Sequence, residues 1–135
     1  MGDIPANYIT AWYASWRLDK VLDGPCPDCK NDLSLAFKLL SNNYPNDRLS
    51  LLESTQDQTI RSYFLLSATG FEQALRRMVA EVLDPTPNFR YFIETGSFHT
   101  VLGSPATHTS QGVNLNDWMK QLVTDDANWK SVLPP

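Results

Sequence analysis

Basic residues are in short supply: the 135-residue chain has 11 Lys and Arg against 15 Asp and Glu, a formal net charge of −4 at pH 7. These charges are spread along the chain with no basic stripe, so a nucleic-acid partner is not expected. Long apolar runs are absent as well, and every wholly apolar stretch is far too short to span a bilayer. The opening Met1-Gly2-Asp3-Ile4-Pro5 has no basic stretch leading into an apolar one, so it is not read as a signal peptide. Histidine and cysteine number two each. A zinc site would have to recruit His99 and His108 alongside both cysteines, and no cofactor is expected. Internal repeats and low-complexity tracts are also lacking.

What is present suits one globular unit. Hydrophobic residues make up 42% of the chain, and four Trp, five Tyr and six Phe bring large apolar area to a core. The length fits a single domain. The cysteines form Cys26-Pro27-Asp28-Cys29 directly after Asp23-Gly24-Pro25, which is turn chemistry. A redox C-x-x-C normally follows a strand and opens a helix. A local disulfide or a pair of inert loop thiols is therefore expected. Thiol-redox chemistry and half of a metal site are the alternatives.

Periodicity divides the rest. Residues 5–18 predict a helix, with Pro5 in its first turn and Ile4, Tyr8, Trp12 and Trp16 recurring every fourth position beside Ile9 and Tyr13. Asn31 or Asp32 is placed to cap a second helix carrying Leu33, Ala36, Phe37 and Leu40. Strands are predicted over Arg48–Ser54 and Asn88–Glu94, the second rich in aromatics. Between them lie a helix over Gln58–Ser67 and, after Gly70, the clearest helix of the chain. There Phe71, Ala74, Leu75, Met78, Val79 and Val82 keep the 3.6-residue period until Asp84-Pro85. Glu94 to Val113 reads as a loop holding both histidines. A helix from Asn114 turns Leu115, Trp118, Met119 and Leu122 inward, and a short tail helix is expected around Ala127 to Val132.

Strands separated by helices imply an α/β fold with a parallel sheet, which must be covered on both faces. Two strands are too few to bury themselves. The chain is therefore expected to be part of a larger α/β domain or to lean on a partner, leaving Leu49, Leu51, Leu52, Tyr91 and Ile93 in an uncovered patch.

Ligands of open α/β sheets gather past the carboxyl ends of the strands. Two segments reach that edge, Glu53-Ser54-Thr55-Gln56-Asp57 and Glu94-Thr95-Gly96-Ser97-Phe98-His99. An Asp and a His on neighbouring strand ends are the acid and base needed for acyl transfer, since a carboxylate on one ring nitrogen orients the imidazole and supports the imidazolium. Asp before His also matches hydrolases whose triad runs Ser, Asp, His. Plainer readings stand beside this one. Asp57 would serve as the N-cap of the next helix, His99 as an ordinary loop histidine, and Glu53 and Glu94 are rival acids nearer their strands. His108, in Pro105-Ala106-Thr107-His108-Thr109-Ser110, is expected to be solvent-exposed.

The segments Leu49-Ser50-Leu51-Leu52-Glu53-Ser54-Thr55-Gln56-Asp57-Gln58-Thr59-Ile60-Arg61 and Phe89-Arg90-Tyr91-Phe92-Ile93-Glu94-Thr95-Gly96-Ser97-Phe98-His99-Thr100-Val101-Leu102 resemble the acid and histidine segments of the pectinacetylesterase-like family, which includes pectin acetylesterases and Notum-type carboxylesterases. The resemblance runs from about Leu33 to Trp129. It implies an α/β-hydrolase-type fold, a Ser-Asp-His triad that cleaves esters, Asp57 as the acid and His99 as the base. It also implies an acetylated polysaccharide or similar ester as substrate, and an extracellular or periplasmic setting. The family nucleophile lies in a Gly-x-Ser-Ala-Gly-Gly turn upstream of the acid, which no segment here matches; Thr69-Gly70-Phe71 and Gly96-Ser97-Phe98 are not nucleophile elbows. Residues 1–135 are therefore expected to form the C-terminal, acid-and-base part of such a domain, inactive alone, with the nucleophile-bearing half or a second chain as partner. Rival expectations are a helical interaction module that docks through its aromatic first helix, and a thiol-redox protein.

Overall fold

The computed structural model describes residues 6–135; Ile4 and Pro5, expected to open the first helix, lie outside them. Helix α1 runs Ala6–Ser15 and stops short of residue 18, because Arg17 turns into the left-handed region at φ 53°. Its aromatic ridge is packed only in part. Trp12 meets Phe64 at 5.4 Å and stacks on Trp16 at 5.8 Å, and Trp16 remains 63% exposed. After the four-residue α2, Asp19–Leu22, Cys26 and Cys29 are joined by a disulfide across the 3-10 turn Pro27–Lys30. Asp32 caps as expected, accepting from the Ser34 N–H at 3.0 Å. The turn it opens, Leu33–Leu35, leads into α3, Ala36–Asn43.

Strands β1, Leu49–Ser54, and β2, Phe89–Glu94, pair in parallel, with Leu49 opposite Phe89 and Ser54 opposite Glu94. Between them α4, Gln58–Tyr63, is shorter than expected, since Leu65 adopts φ 56°. Helix α5, Ala68–Met78, starts two residues before Gly70, capped by Ser67, and continues into a π-helical turn Val79–Leu83.

Alternation along β2 sends residues to opposite faces of the sheet. Phe89, Tyr91 and Ile93 meet Phe71, Leu75, Met78, Val79, Val82 and Leu83; Phe92 meets Val101, Leu115, Trp118, Trp129 and Val132. Both faces of β2 are thus buried, as parallel strands require. The expected uncovered patch is smaller than the sequence suggests. Tyr91 and Ile93 are buried, and Leu49, Leu51 and Leu52 are half-buried.

Two segments depart from expectation. The loop after β2 contains a hairpin, β3 Thr109–Ser110 and β4 Val113–Asn114. Its turn at Gln111 and Gly112 takes positive φ at both residues, the geometry that matches the strand twist of a two-residue hairpin. Helix α6, Leu115–Val123, then follows its Asn114 cap. The tail expected as a helix is extended. Val132 N–H donates to Tyr91 O at 2.8 Å and Val132 O accepts from Ile93 N–H at 2.9 Å, a third parallel member on the far edge of β2. Those edge groups need partners, and the extended tail supplies them while seating Trp129 against Trp118. The architecture is mixed α/β, with six α-helices among the described residues and a two-strand parallel sheet at the centre.

Candidate active site

The β1–β2 ladder does not end with the strands. Thr55 N–H donates to Glu94 O at 2.8 Å, Gln56 N–H to Gly96 O at 2.8 Å and Gln58 N–H to Ser97 O at 3.2 Å. The two following loops are therefore zipped together, and the Ser54 hydroxyl donates to Phe98 O at 2.5 Å to hold the second loop against the first. Gly96 permits this path. Its φ is 149°, and a Cβ there would come within 2.7 Å of the Phe98 ring.

This zipper brings Asp57 and His99 together. Asp57 is 1% exposed; its Oδ1 accepts from the Ile60 N–H at 2.7 Å and caps α4, while Oδ2 lies 3.0 Å from His99 Nδ1. The helix-cap and histidine-partner readings of Asp57 are therefore both satisfied, one by each oxygen. Burial alone would raise the Asp57 pKa. Hydrogen bonds from Ile60, His99 and Glu53 outweigh it and hold the carboxyl below its ordinary value of 3.8. An ionised carboxylate only accepts, so Nδ1 carries the proton and the neutral ring keeps its Nε2 lone pair. The His99 side chain is 44% exposed. It borders an open cleft of about 510 Å³ with Gln58, Thr59, Ser62, Tyr63 and Ser97.

The rival acids lie elsewhere. Glu53 Oε1 accepts from the Ser54 N–H at 2.9 Å, and its side chain lines an apolar cavity with Phe37, Ile60 and Phe71. Burial pushes its pKa up to about 7, with the neighbouring Asp57 charge adding to the rise against the Ser54 bond. The sequence offers a signal for this residue: two and four positions after Leu51 and Leu49, it shares their face of β1, a carboxyl at an apolar position.

Glu94 has its own histidine. His108 Nδ1 lies 2.7 Å from Glu94 Oε2, the Thr109 N–H donates to Oε1 at 3.2 Å, and Phe98 meets the His108 ring edge-on at 5.3 Å. The expectation of a solvent-exposed His108 is therefore corrected. The carboxylate and the ring of Phe98 cover it, and its backbone carbonyl accepts from the Leu115 N–H at 3.0 Å.

Among the described residues no three His, Cys, Asp or Glu side chains are grouped to hold a metal ion, and no helix is long and apolar enough to cross a membrane. Compared with family models, with curated proteins and with solved structures, the chain matches none.

Proposed function

We propose that Asp57 and His99 are the acid and base of a serine carboxylesterase of the pectinacetylesterase-like kind, in an α/β-hydrolase-type domain whose nucleophilic serine comes from outside residues 1–135. The observation that carries this reading is a buried carboxylate bonded to Nδ1 of an exposed imidazole, past the carboxyl ends of two parallel strands. In the reaction, Nε2 of His99 accepts the serine hydroxyl proton as the oxygen attacks the acyl carbon. Asp57 holds the resulting imidazolium through Nδ1–H, and His99 returns the proton to the leaving alcohol. The same ring then activates the water that releases the acid. The substrate is an ester of a polysaccharide or similar alcohol, with acetyl as the acyl group the family resemblance favours. A Cys26–Cys29 disulfide suits the oxidising extracellular or periplasmic setting of that reading.

The test adds the serine. The chain alone should hydrolyse p-nitrophenyl acetate no faster than its His99→Ala variant. Joined to the gene segment that precedes it, it should gain activity that both His99→Ala and Asp57→Asn remove. Activity indifferent to both substitutions, or robust hydrolysis by residues 1–135 alone, overturns the proposal. One observation favours the interaction-module reading instead: Trp16, Tyr63 and Leu65 are all exposed near the α1–α4 contact. That reading predicts no hydrolysis with the added segment and loss of a partner in Trp16→Ala.

A further inference from the structure

We propose that the cavity behind α4 is a binding site for a small apolar amine, with Glu53 taking the ammonium group and a ring or short alkyl chain lying among Phe37, Phe64 and Phe71. The site does not depend on the ester-hydrolase reading above.

The cavity holds about 170 Å³ between β1, α3, α4 and α5. The buried Phe71, Leu75 and Met78 of α5 form one wall, and the half-buried Phe37, Ile60 and Phe64 form another. An apolar cavity of ~150 Å³ is enough to take up a benzene ring. Apolar atoms placed there regain transfer and dispersion energy that the walls otherwise forgo. Among the described lining residues Glu53 alone is polar. It follows Leu49 and Leu51 on the same face of β1, where packing alone would call for a third apolar side chain. A carboxylate against apolar walls is costly unless it is hydrogen-bonded and paired. Its Oε1 accepts from the Ser54 N–H at 2.9 Å, a neutral partner, and no Lys, Arg or His is among the described lining residues. A ligand ammonium supplies the counter-charge, and phenyl rings add cation–π attraction to it. Apolar walls with one placed polar group are the usual form of a small-molecule site. Helix α4 divides this cavity from the His99 cleft: Ile60 lines the first, whereas Gln58, Thr59, Ser62 and Tyr63 line the second. An occupant therefore touches Ile60, whose N–H donates to Asp57 Oδ1.

The test titrates isotope-labelled chain with benzylamine, toluene and benzoate at about pH 8, followed by NMR. Burial raises the Glu53 pKa to about 7, so the carboxyl is ionised there while benzylamine stays protonated. Benzylamine should shift the Ile60 and Leu75 methyl resonances and leave those of Val132, in the other core cluster, in place. It should bind at least about tenfold more tightly than toluene or benzoate. Glu53→Gln should lose that preference and keep toluene affinity within about twofold. Ala74→Leu, which fills the cavity from α5, should remove binding of both benzylamine and toluene, with urea unfolding showing the fold retained. If Ala74→Leu unfolds, the Glu53→Gln comparison decides alone. Benzylamine bound no more tightly than toluene, a preference that survives Glu53→Gln, shifts confined to residues away from the cavity, or no binding at millimolar concentration each overturns the proposal.

Discussion

Two carboxylate–histidine pairs stand past the ends of β1 and β2, joined in each case through Nδ1, and they differ in which member meets solvent. In Asp57–His99 the acid is buried and the imidazole is 44% exposed beside a cleft. In Glu94–His108 the side chains are 13% and 10% exposed, and the Phe98 ring closes over the histidine. Bond length does not separate the pair proposed to react from the other: 3.0 Å for Asp57–His99 and 2.7 Å for Glu94–His108. What separates them is cover: His99 sits on the outer turn of the loop with its far side open, whereas His108 is the buttress that holds the same loop down. A reactive base needs a free nitrogen and a fixed one, and the first pair alone offers both.

The largest effect that would break this contrast is on activity. In protein joined to its serine, Asp57→Asn should lower kcat by about 10³–10⁴-fold, the loss seen when a triad acid can no longer set the tautomer. Glu94→Gln should cost less than about tenfold, because Glu94 positions the loop and touches no reacting atom. Equal losses in steady-state kinetics would erase the distinction.

Stability should invert the order. His108→Ala leaves the Glu94 carboxylate enclosed without its ring partner, at a cost of about 2–3 kcal/mol in urea unfolding. His99→Ala should cost about 1 kcal/mol or less, since close to half of that side chain is in water and Asp57 keeps the Ile60 N–H.

A pH series sharpens the comparison, because Glu53, near the first pair at the end of β1, and Asp57 are shifted in opposite directions. Glu53 binds its proton more tightly when folded. Its contribution to stability is full below 4.5 and is lost as pH rises to about 7. The Asp57 pKa is lowered, so its contribution is full above 3.8 and is lost as pH falls through the folded value. Stability should peak in mildly acidic buffer and decline toward neutrality by on the order of 1–3 kcal/mol, and Glu53→Gln should flatten that decline. A stability curve rising from pH 5 to pH 7 would contradict the Glu53 assignment. The smallest effect is chemical. Diethyl pyrocarbonate should modify His99 at least about tenfold faster than His108, read by peptide mass spectrometry, since only exposed neutral imidazole reacts.

Legibility in the sequence followed range. The α5 stripe Phe71, Leu75, Met78 and Val82 and the strand Phe89–Glu94 are readable because their period states which face is buried. Asp57 and His99 are readable because parallel neighbours align their carboxyl ends. The tail around Trp129 was not readable. Its aromatic and apolar spacing suits a helix locally, and the unpaired edge of β2 drew it out into a bridge at Val132. His108 looked exposed because its neighbours are small and polar, and nothing local reports that Glu94, fourteen residues earlier, turns to meet it.

Local pattern by itself determined the two strands, the existence of the helices between them, and the alignment that puts an acid and a histidine at one sheet edge, and it offered Asp32 and Asp57 among its cap candidates. Tertiary structure alone decided that Glu94 serves His108 and which histidine keeps an open side. The reason is physical. Periodicity encodes the face a residue presents, whereas hydrogen-bond partners and ring cover depend on where loops from separate strands come to rest, and that is settled by zipper bonds such as Gln56 to Gly96 that no local window contains.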